Sequence, residues 1–568
     1  MSNEPNIKKY PHLLPNLEDW PIYKFSQDRD SFIKKVSNDV IQFFSKYSPE
    51  DLDQTLAKTI YQEKQRIKSN PWKADPPNEM QFFRKLQNEY NDNHQFSNKT
   101  DRNMESVSRL IKRYTIEITG QFNHKTFLFA RKLLTLFFHT MFYPLGKSFF
   151  KSTAKKREQL LSVMRINGEI DQLRLLSKDH TIVMVPTHSS NLDSILVGYM
   201  IDSITGLPAF SYGAGLNLYD SEFFGFFMNR LGAYRVDRRK KNLIYLQTLS
   251  SYSKLSVMRG VHTIFFPGGT RSRSGEIENK LKLGLLNSLL LAQRQLIENN
   301  ESRKIVLVPV VLTYESVLEA RSLILQHLKS TGQEKYTARD RASSIGQYFS
   351  FIRRFLTKGS HVYMSFGKPM DVFGNYLTDK AESIGHSGKI IDLKDYFIRQ
   401  GDFVIDSQRE SIYTKELGEK IVEQFNKSNY ILPAHLVAYC AFQLLIRMNP
   451  GQDIYSLVQL PEEEFAFPKR AFKQLCKEVI ALLIKLNQEE KLILPELLTQ
   501  DLDVVIEDGI RNLGIYHIKR PLVIDQFQRL ISEDFLSLLF YHNKLSHLKL
   551  EDMIIWDHIS LVQEELAD

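Results

Sequence analysis

An α/β fold with a mixed sheet and surrounding helices, extended by helical regions on both sides, is what the sequence predicts for this 568-residue chain. Three observations predict it. T-I-V-M-V-P (181–186) and T-I-F-F-P (263–267) are continuous apolar runs of strand length, as buried strands require. Between 181 and about 370, strand-like and helix-like segments alternate. The stretches before and after that interval have mainly helical patterning.

Taken in order, residues 1–120 read as a helical region with polar interruptions near Asn70–Asn78 and Asn91–Asp101. Residues 121–180 lead into the core. Their Phe-rich stretch 127–150 is apolar, but its longest run without Lys, Arg, Asp or Glu is Leu133–Gly146, too short to cross a bilayer as a helix. Flanked by Arg131, Lys132 and Lys147, it suits a helix lying in a membrane interface, or equally an amphipathic helix packed on the core. Residues 151–180 are basic and read as helical. The α/β domain is assigned to 181–370. In the remainder, 371–568, an irregular stretch to about 415 is followed by helical patterns at 431–447 and 475–486. V-V-I-E-D-G-I-R-N-L-G-I-Y-H-I (504–518) reads as a hairpin.

Two segments carry chemistry. In T-H-S-S-N-L-D (187–193), His188 and Asp193 follow the first strand and precede an apolar helix at 194–201. Residues five apart lie about 140° apart around a helix, so the two cannot share a helical face. They meet if His188 stays in the turn and Asp193 opens the helix. The carboxylate then holds one imidazole nitrogen and leaves the other as a base. Ser190-x-x-Asp193 also fits a capping box, with an acid favoured in the first turn by the helix dipole. In F-F-P-G-G-T-R-S-R-S-G (265–275), Gly268 and Gly269 permit close backbone approach to a ligand. Arg271 and Arg273 offer planar forks suited to phosphate. A helix over 280–286 adds Lys280 and Lys282.

These segments, with two more, resemble the glycerolipid acyltransferase family, nearest its glycerol-3-phosphate acyltransferase branch. The four blocks are H-S-S-N-L-D (188–193), G-A-Y-R-V-D-R (232–238), F-P-G-G-T-R-S-R-S-G (266–275) and V-P-V-V-L-T-Y-E (308–315). V-Y-M-S-F-G-K-P (362–369) is similar to the strand and turn that close the family's catalytic domain. The resemblance implies direct acyl transfer. His188 is the base and Asp193 orients it, with Ser190 in support. Backbone N–H groups near Gly269 and Thr270 hold the oxyanion. Arg238, Arg271 and Arg273 bind the acceptor's phosphate. The implied acceptor is glycerol 3-phosphate, with lysophosphatidic acid and dihydroxyacetone phosphate as alternatives. Acyl-CoA or an acyl carrier protein is the co-substrate, and no bound cofactor or metal is called for. One departure is plain: the family's third block usually carries glutamate where this chain has Gly268. That departure also admits a non-catalytic lipid- or phosphate-binding protein, and Glu276 or Glu278 are the residues placed to compensate.

Composition is compatible with this reading. At 42% hydrophobic and 25% charged residues, the chain is globular rather than disordered. A net charge of +9 implies an anionic partner. Phosphorylated substrate and an anionic lipid surface qualify, and no zinc-finger or RNA-recognition signature supports nucleic acid. The basic residues group at Lys147, Lys151, Lys155, Lys156 and Arg157, and again at Arg235, Arg238, Arg239, Lys240 and Lys241. Two cysteines, Cys440 and Cys476, give no disulfide framework or metal spacing and point to a reducing setting. The N-terminus lacks a signal-peptide core. The expected location is the cytoplasmic face of a membrane, peripheral or monotopic.

Overall fold

The computed structural model describes residues 10–93, 98–142, 156, 160, 163–219, 222–330, 362–400 and 402–560. Its centre is a seven-stranded mixed sheet. The strands are β1 (Met164–Gly168), β2 (Thr181–Pro186), β3 (Ser211–Gly215), β4 (Ala233–Val236), β5 (Thr263–Ile264), β6 (Ile305–Tyr314) and β7 (Val362–Phe366). Their spatial order is β1-β7-β6-β2-β5-β3-β4, with only the β6–β7 pair antiparallel.

The two-residue period of a strand explains why β2 and β6 are apolar throughout. Ile182 and Met184 of β2, with Val306, Val308, Val310 and Leu312 of β6, face one layer. Val183 and Val185, with Ile305, Leu307 and Val311, face the other. The first layer holds the Asp193–Met200 and Pro433–Met448 helices. The second holds the Leu283–Glu298 and Ser407–Lys427 helices. Each such aliphatic side chain contributes about 1.5–3 kcal/mol on burial.

The N-terminal helices form a third layer. Arg29–Phe44, Pro49–Ser69, Glu79–Asn93 and Lys99–Ile118 pack against the Leu243–Met258 helix through Phe32, Leu56, Tyr114, Tyr245 and Tyr252. This joint also buries charge. Arg66 pairs with Glu63 (3.0 Å) and Glu79 (2.7 Å), and the fully buried Lys240 pairs with Glu117 (2.6 Å).

Three expectations about elements change. The basic stretch 151–180 is not wholly helical: Met164–Gly168 is an edge strand that pairs with β7 in parallel. Only Met164 of this strand is fully buried, so no apolar run marks it. The expected hairpin at 504–518 is instead the Leu502–Asn512 helix. Asp501 caps it by accepting from the Asp503 N–H, and Gly509 lets it close on the Pro433 carbonyl. Capping and packing override the strand preference of Val504, Val505 and Ile506. Finally, the helix expected to contain Lys280 and Lys282 begins only at Leu283. No described helix is long and apolar enough to cross a membrane. His124–Phe142 is helical, while 143–150 and the cluster members Lys147, Lys151, Lys155 and Arg157 lie outside the described residues.

Candidate active site

Strands β2, β3, β4, β5 and β6 are mutually parallel, so their C-terminal ends share one edge of the sheet, where α/β folds bind ligands. His188 follows β2, Arg238 follows β4, Arg271 follows β5 and Glu319 follows β6. Residues far apart in sequence are thereby brought to one place.

His188 stays in the turn and Asp193 is the first residue of its helix. Imidazole Nδ1 lies 2.8 Å from Asp193 Oδ2. That oxygen also accepts the backbone N–H groups of Ser189 (2.6 Å) and Ser190 (2.8 Å). The expected capping box is only half formed: Asp193 accepts the Ser190 N–H, but the Ser190 hydroxyl accepts the Leu192 N–H (3.2 Å) rather than that of Asp193, and the helix N-cap is Leu192. Asp193 is fully buried, and its Oδ1 accepts the hydroxyl of Tyr314, whose own ionisation is suppressed by burial and by the Asp193 charge. Held at Nδ1, the imidazole keeps Nε2 for proton transfer. Its ring packs on Phe266, with centroids 4.4 Å apart.

The arginine loop runs from Pro267 to Lys282, closed by the Lys282 N–H donating to the Pro267 carbonyl (2.7 Å). It clamps the His188 backbone from both sides. The Ser272 N–H donates to the His188 carbonyl (2.7 Å), and Glu278 Oε1 accepts the His188 N–H (3.1 Å). Gly268 is where this geometry turns. A β-carbon there would lie 2.6 Å from the Glu278 carboxyl carbon, so a side chain at this position would displace that carboxyl group. Glu278 thus occupies the space beside the departed position, and Glu276, exposed, does not. Burial pushes the Glu278 carboxyl up to about 8, against the opposing effect of the His188 N–H.

Gly269 adopts φ +77°, which a side chain would strain, and donates its N–H to the Phe266 carbonyl (3.1 Å). That amide is consequently engaged within the turn. Thr270 is exposed at the loop's tip. Arg238 and Arg271 lie close to each other: partial desolvation and then the Arg271 charge lower the Arg238 pKa. Among the described residues no carboxylate pairs with Arg238, while Arg271 reaches Glu319 only at 3.8 Å. Two cations held together with so little compensation suit an anion of charge near −2. Arg273, Lys280 and Lys282 are exposed around the loop, and the Lys282 stem packs over Gly269. The second basic group divides. Arg239 pairs with Asp75 and Asp237, and Lys240 is enclosed, leaving Arg238 and Lys241 outward.

Ser190 supports the turn at a distance from the imidazole. Its hydroxyl donates to Glu319 (3.0 Å), which also accepts the Asn191 N–H (3.1 Å). Glu319 therefore ties the histidine turn to Arg271. Sequence reasoning gave no role to Tyr314, Glu319 or Lys544. Tyr314 and Glu319 lie at the C-terminal end of a recognisable strand, a usable signal. Lys544 carries none. Among the described residues no group of three or more His, Cys, Asp or Glu is arranged for a metal ion.

A mainly apolar cavity, with the Arg131–Asp202 ion pair in its wall, lies between the His124–Phe142 and Asp193–Met200 helices. Ile195, Gly198, Phe210, Tyr212, Met228 and Ile264 are among its lining.

Residues 167–313 match the acyltransferase family model. Curated relatives are glycerol-3-phosphate acyltransferases. That of Pseudomonas entomophila strain L48 is 25% identical over 330 residues, 58% of this chain and 34% of the relative. That of Pseudomonas paraeruginosa strain PA7 is 27% identical over 267 residues, 47% and 28% of the two chains. That of Pseudomonas putida strain KT2440 is 24% identical over 389 residues, 67% and 40%. The chain thus spans about a third of the length of these relatives. The resemblance drawn from the four sequence blocks is borne out.

Proposed function

We propose that this chain is a membrane-associated acyltransferase. It moves a fatty acyl group from acyl-CoA or an acyl carrier protein to glycerol 3-phosphate, giving lysophosphatidic acid, the first step of glycerophospholipid synthesis. The observation that carries the reading is His188 held at Nδ1 by Asp193 on the same sheet edge as Arg238 and Arg271. His188 Nε2 takes the proton of the acceptor hydroxyl. The oxygen attacks the thioester carbonyl, and the tetrahedral oxyanion meets backbone N–H groups near Thr270. On collapse the C–S bond breaks, and the departing thiolate takes the proton from the imidazolium. Asp193 stabilises the imidazolium meanwhile. Arg238 and Arg271, with Arg273, Lys280 and Lys282 around them, bind the phosphate. The apolar cavity beside the Asp193–Met200 helix has the chemistry to receive the acyl chain.

Membrane attachment is assigned to the His124–Phe142 helix. Leu128, Phe129, Leu133 and Leu136 are exposed on it beside the exposed Lys125 and Lys132, and exposed Phe226 extends the patch. Aromatic and aliphatic side chains flanked by lysines suit the surface of anionic lipid. On this reading the protein works at the cytoplasmic face of a membrane, as a peripheral or monotopic protein.

The competing reading, a binding protein that has lost catalysis, drew on Gly268. It is disfavoured because Glu278 brings a carboxylate to that place and the dyad is retained. The test offers glycerol 3-phosphate, lysophosphatidic acid and dihydroxyacetone phosphate in parallel, with acyl-CoA and acyl carrier protein donors on liposomes. Glycerol 3-phosphate is the acceptor used. Arg238→Ala and Arg271→Ala each raise its KM by roughly tenfold to a hundredfold, as loss of a charge-assisted phosphate contact does. Equal use of lysophosphatidic acid, or unchanged KM in both variants, would overturn this assignment.

A further inference from the structure

Behind His188 the site is closed by the C-terminal region, through His435 and the residues around Tyr541. The end of the Phe535–His542 helix presses on the arginine loop: a β-carbon at Gly275, where φ is +93°, would meet the Phe540 carbonyl at 2.1 Å. Asn543 Nδ2 donates to the Ser274 carbonyl (2.8 Å). Tyr541 accepts the Val317 N–H (2.8 Å), and His435 Nε2 lies 3.1 Å from the Tyr314 carbonyl. These contacts deliver Lys544 into a small cavity shared with His188, Ser189, Glu278, Tyr314 and His435.

The amine of Lys544 lies 3.4 Å from Ser189 Oγ, next to the backbone that holds Asp193. Two carboxylates face it, Asp193 and Glu278. Glu278 is in turn incomplete. One of its oxygens accepts the His188 N–H, while Oε2 is enclosed without a hydrogen-bond partner among the described residues. Buried charges are tolerated only when balanced, and the balance here comes from Lys544.

We infer that Lys544 and Glu278 are positioning residues for the catalytic dyad: Glu278 fixes the His188 peptide, and Lys544 offsets the carboxylates of Asp193 and Glu278. The C-terminal region is on this account part of the active site. Burial acts on the two partners in opposite directions, raising Glu278 to about 8 and lowering Lys544 to about 8, so the two titrate in the same range and each one's charge bears on the other. The field of Lys544 reaches its other neighbour too. His435 is held down to about 3 by burial and then by the Lys544 charge. Tyr314, bonded to Asp193, stays protonated, and Glu319 and Arg271 stand on the far side of the histidine turn.

This inference rests on the acyl-transfer reading for its consequence and on geometry for its existence, so two measurements separate them. The first is the pH profile of kcat/KM for acyl transfer. Lys544→Met removes the cation that faces Asp193 and Glu278 beside the dyad. The acid limb moves up by about one pH unit. Lys544→Arg keeps the charge and leaves the limb in place. Loss of packing alone lowers the rate at every pH without moving the limb, and that result overturns the inference. The second measurement needs no turnover. Glu278→Gln, Lys544→Met and the double variant are compared by denaturant unfolding at pH 7.5. Coupling makes Glu278→Gln at least about fivefold less costly in the folding equilibrium when Lys544 is already methionine. Additive effects overturn the pairing. Coupled unfolding in a wild type that transfers no acyl group sustains the pair and retires the functional reading instead.

Discussion

Asp193 takes four hydrogen bonds, two from backbone amides, one from His188 and one from Tyr314. A single carboxylate therefore fixes the turn, the tautomer and the ring orientation together. Glu278 has the opposite character, a largely enclosed acid with one oxygen that no described residue bonds. Its pKa rises from 4.5 to about 8, chiefly by burial. A carboxyl raised in the folded state contributes stability that is complete below pH 4.5 and lost as pH climbs toward 8. The loss has a limiting slope of about 1.4 kcal/mol per unit. Glu278→Gln removes this slope, so between pH 5 and 7.5 its unfolding free energy falls less with pH than the wild type's. Parallel dependences would contradict the burial of this acid. His188, Asp193 and the arginines were legible because their spacing is local. Glu278 was legible only as an alternative to Glu276, since nothing local says which one turns inward. Tyr314, Glu319 and Lys544 reach the site across 121, 129 and 355 residues, beyond any periodic signal.

Strands β2 and β6 were readable because both faces are covered, which makes them apolar without interruption. β1 and the Leu502–Asn512 helix were not. The first is a half-polar edge strand, and the second owes its state to an N-cap and to a glycine contact with another helix. The helix boundary at Leu283 was missed for a similar reason: Lys282 is bonded back to Pro267 and serves the loop instead. The β2–β6 ladder sets where His188 stands, through the Thr187 N–H bonded to the Val310 carbonyl (2.9 Å). Leu307, fully buried in β6, supports that ladder from the second layer. Leu307→Ala costs about 2–5 kcal/mol in denaturant unfolding. A loss below about 1 kcal/mol would mean that this layer is loosely packed.

The whole molecule brings three regions to one sheet edge. The N-terminal helices lock the strand–turn that carries Arg238 through Lys240, Glu117 and Glu79. Glu117→Ala removes the shorter of the two ion pairs of Lys240 and leaves it only Glu79 at 3.5 Å, so it destabilises the protein by about 1–3 kcal/mol and weakens phosphate binding with it. An unfolding midpoint unchanged in this variant would contradict a structural role for the joint. The α/β core was recognisable from sequence, as were helical flanks. That both flanks touch the site was not, because the contacts of Lys240 and Lys544 depend on how whole layers dock.

The most direct test of the central claim is acyl transfer from labelled long-chain acyl-CoA to glycerol 3-phosphate on anionic liposomes, wild type against His188→Ala. The account predicts lysophosphatidic acid from the wild type and a rate lower by at least about 10²–10⁴ in the variant, with the variant still folded at the assay temperature. Near-normal turnover by His188→Ala would contradict it.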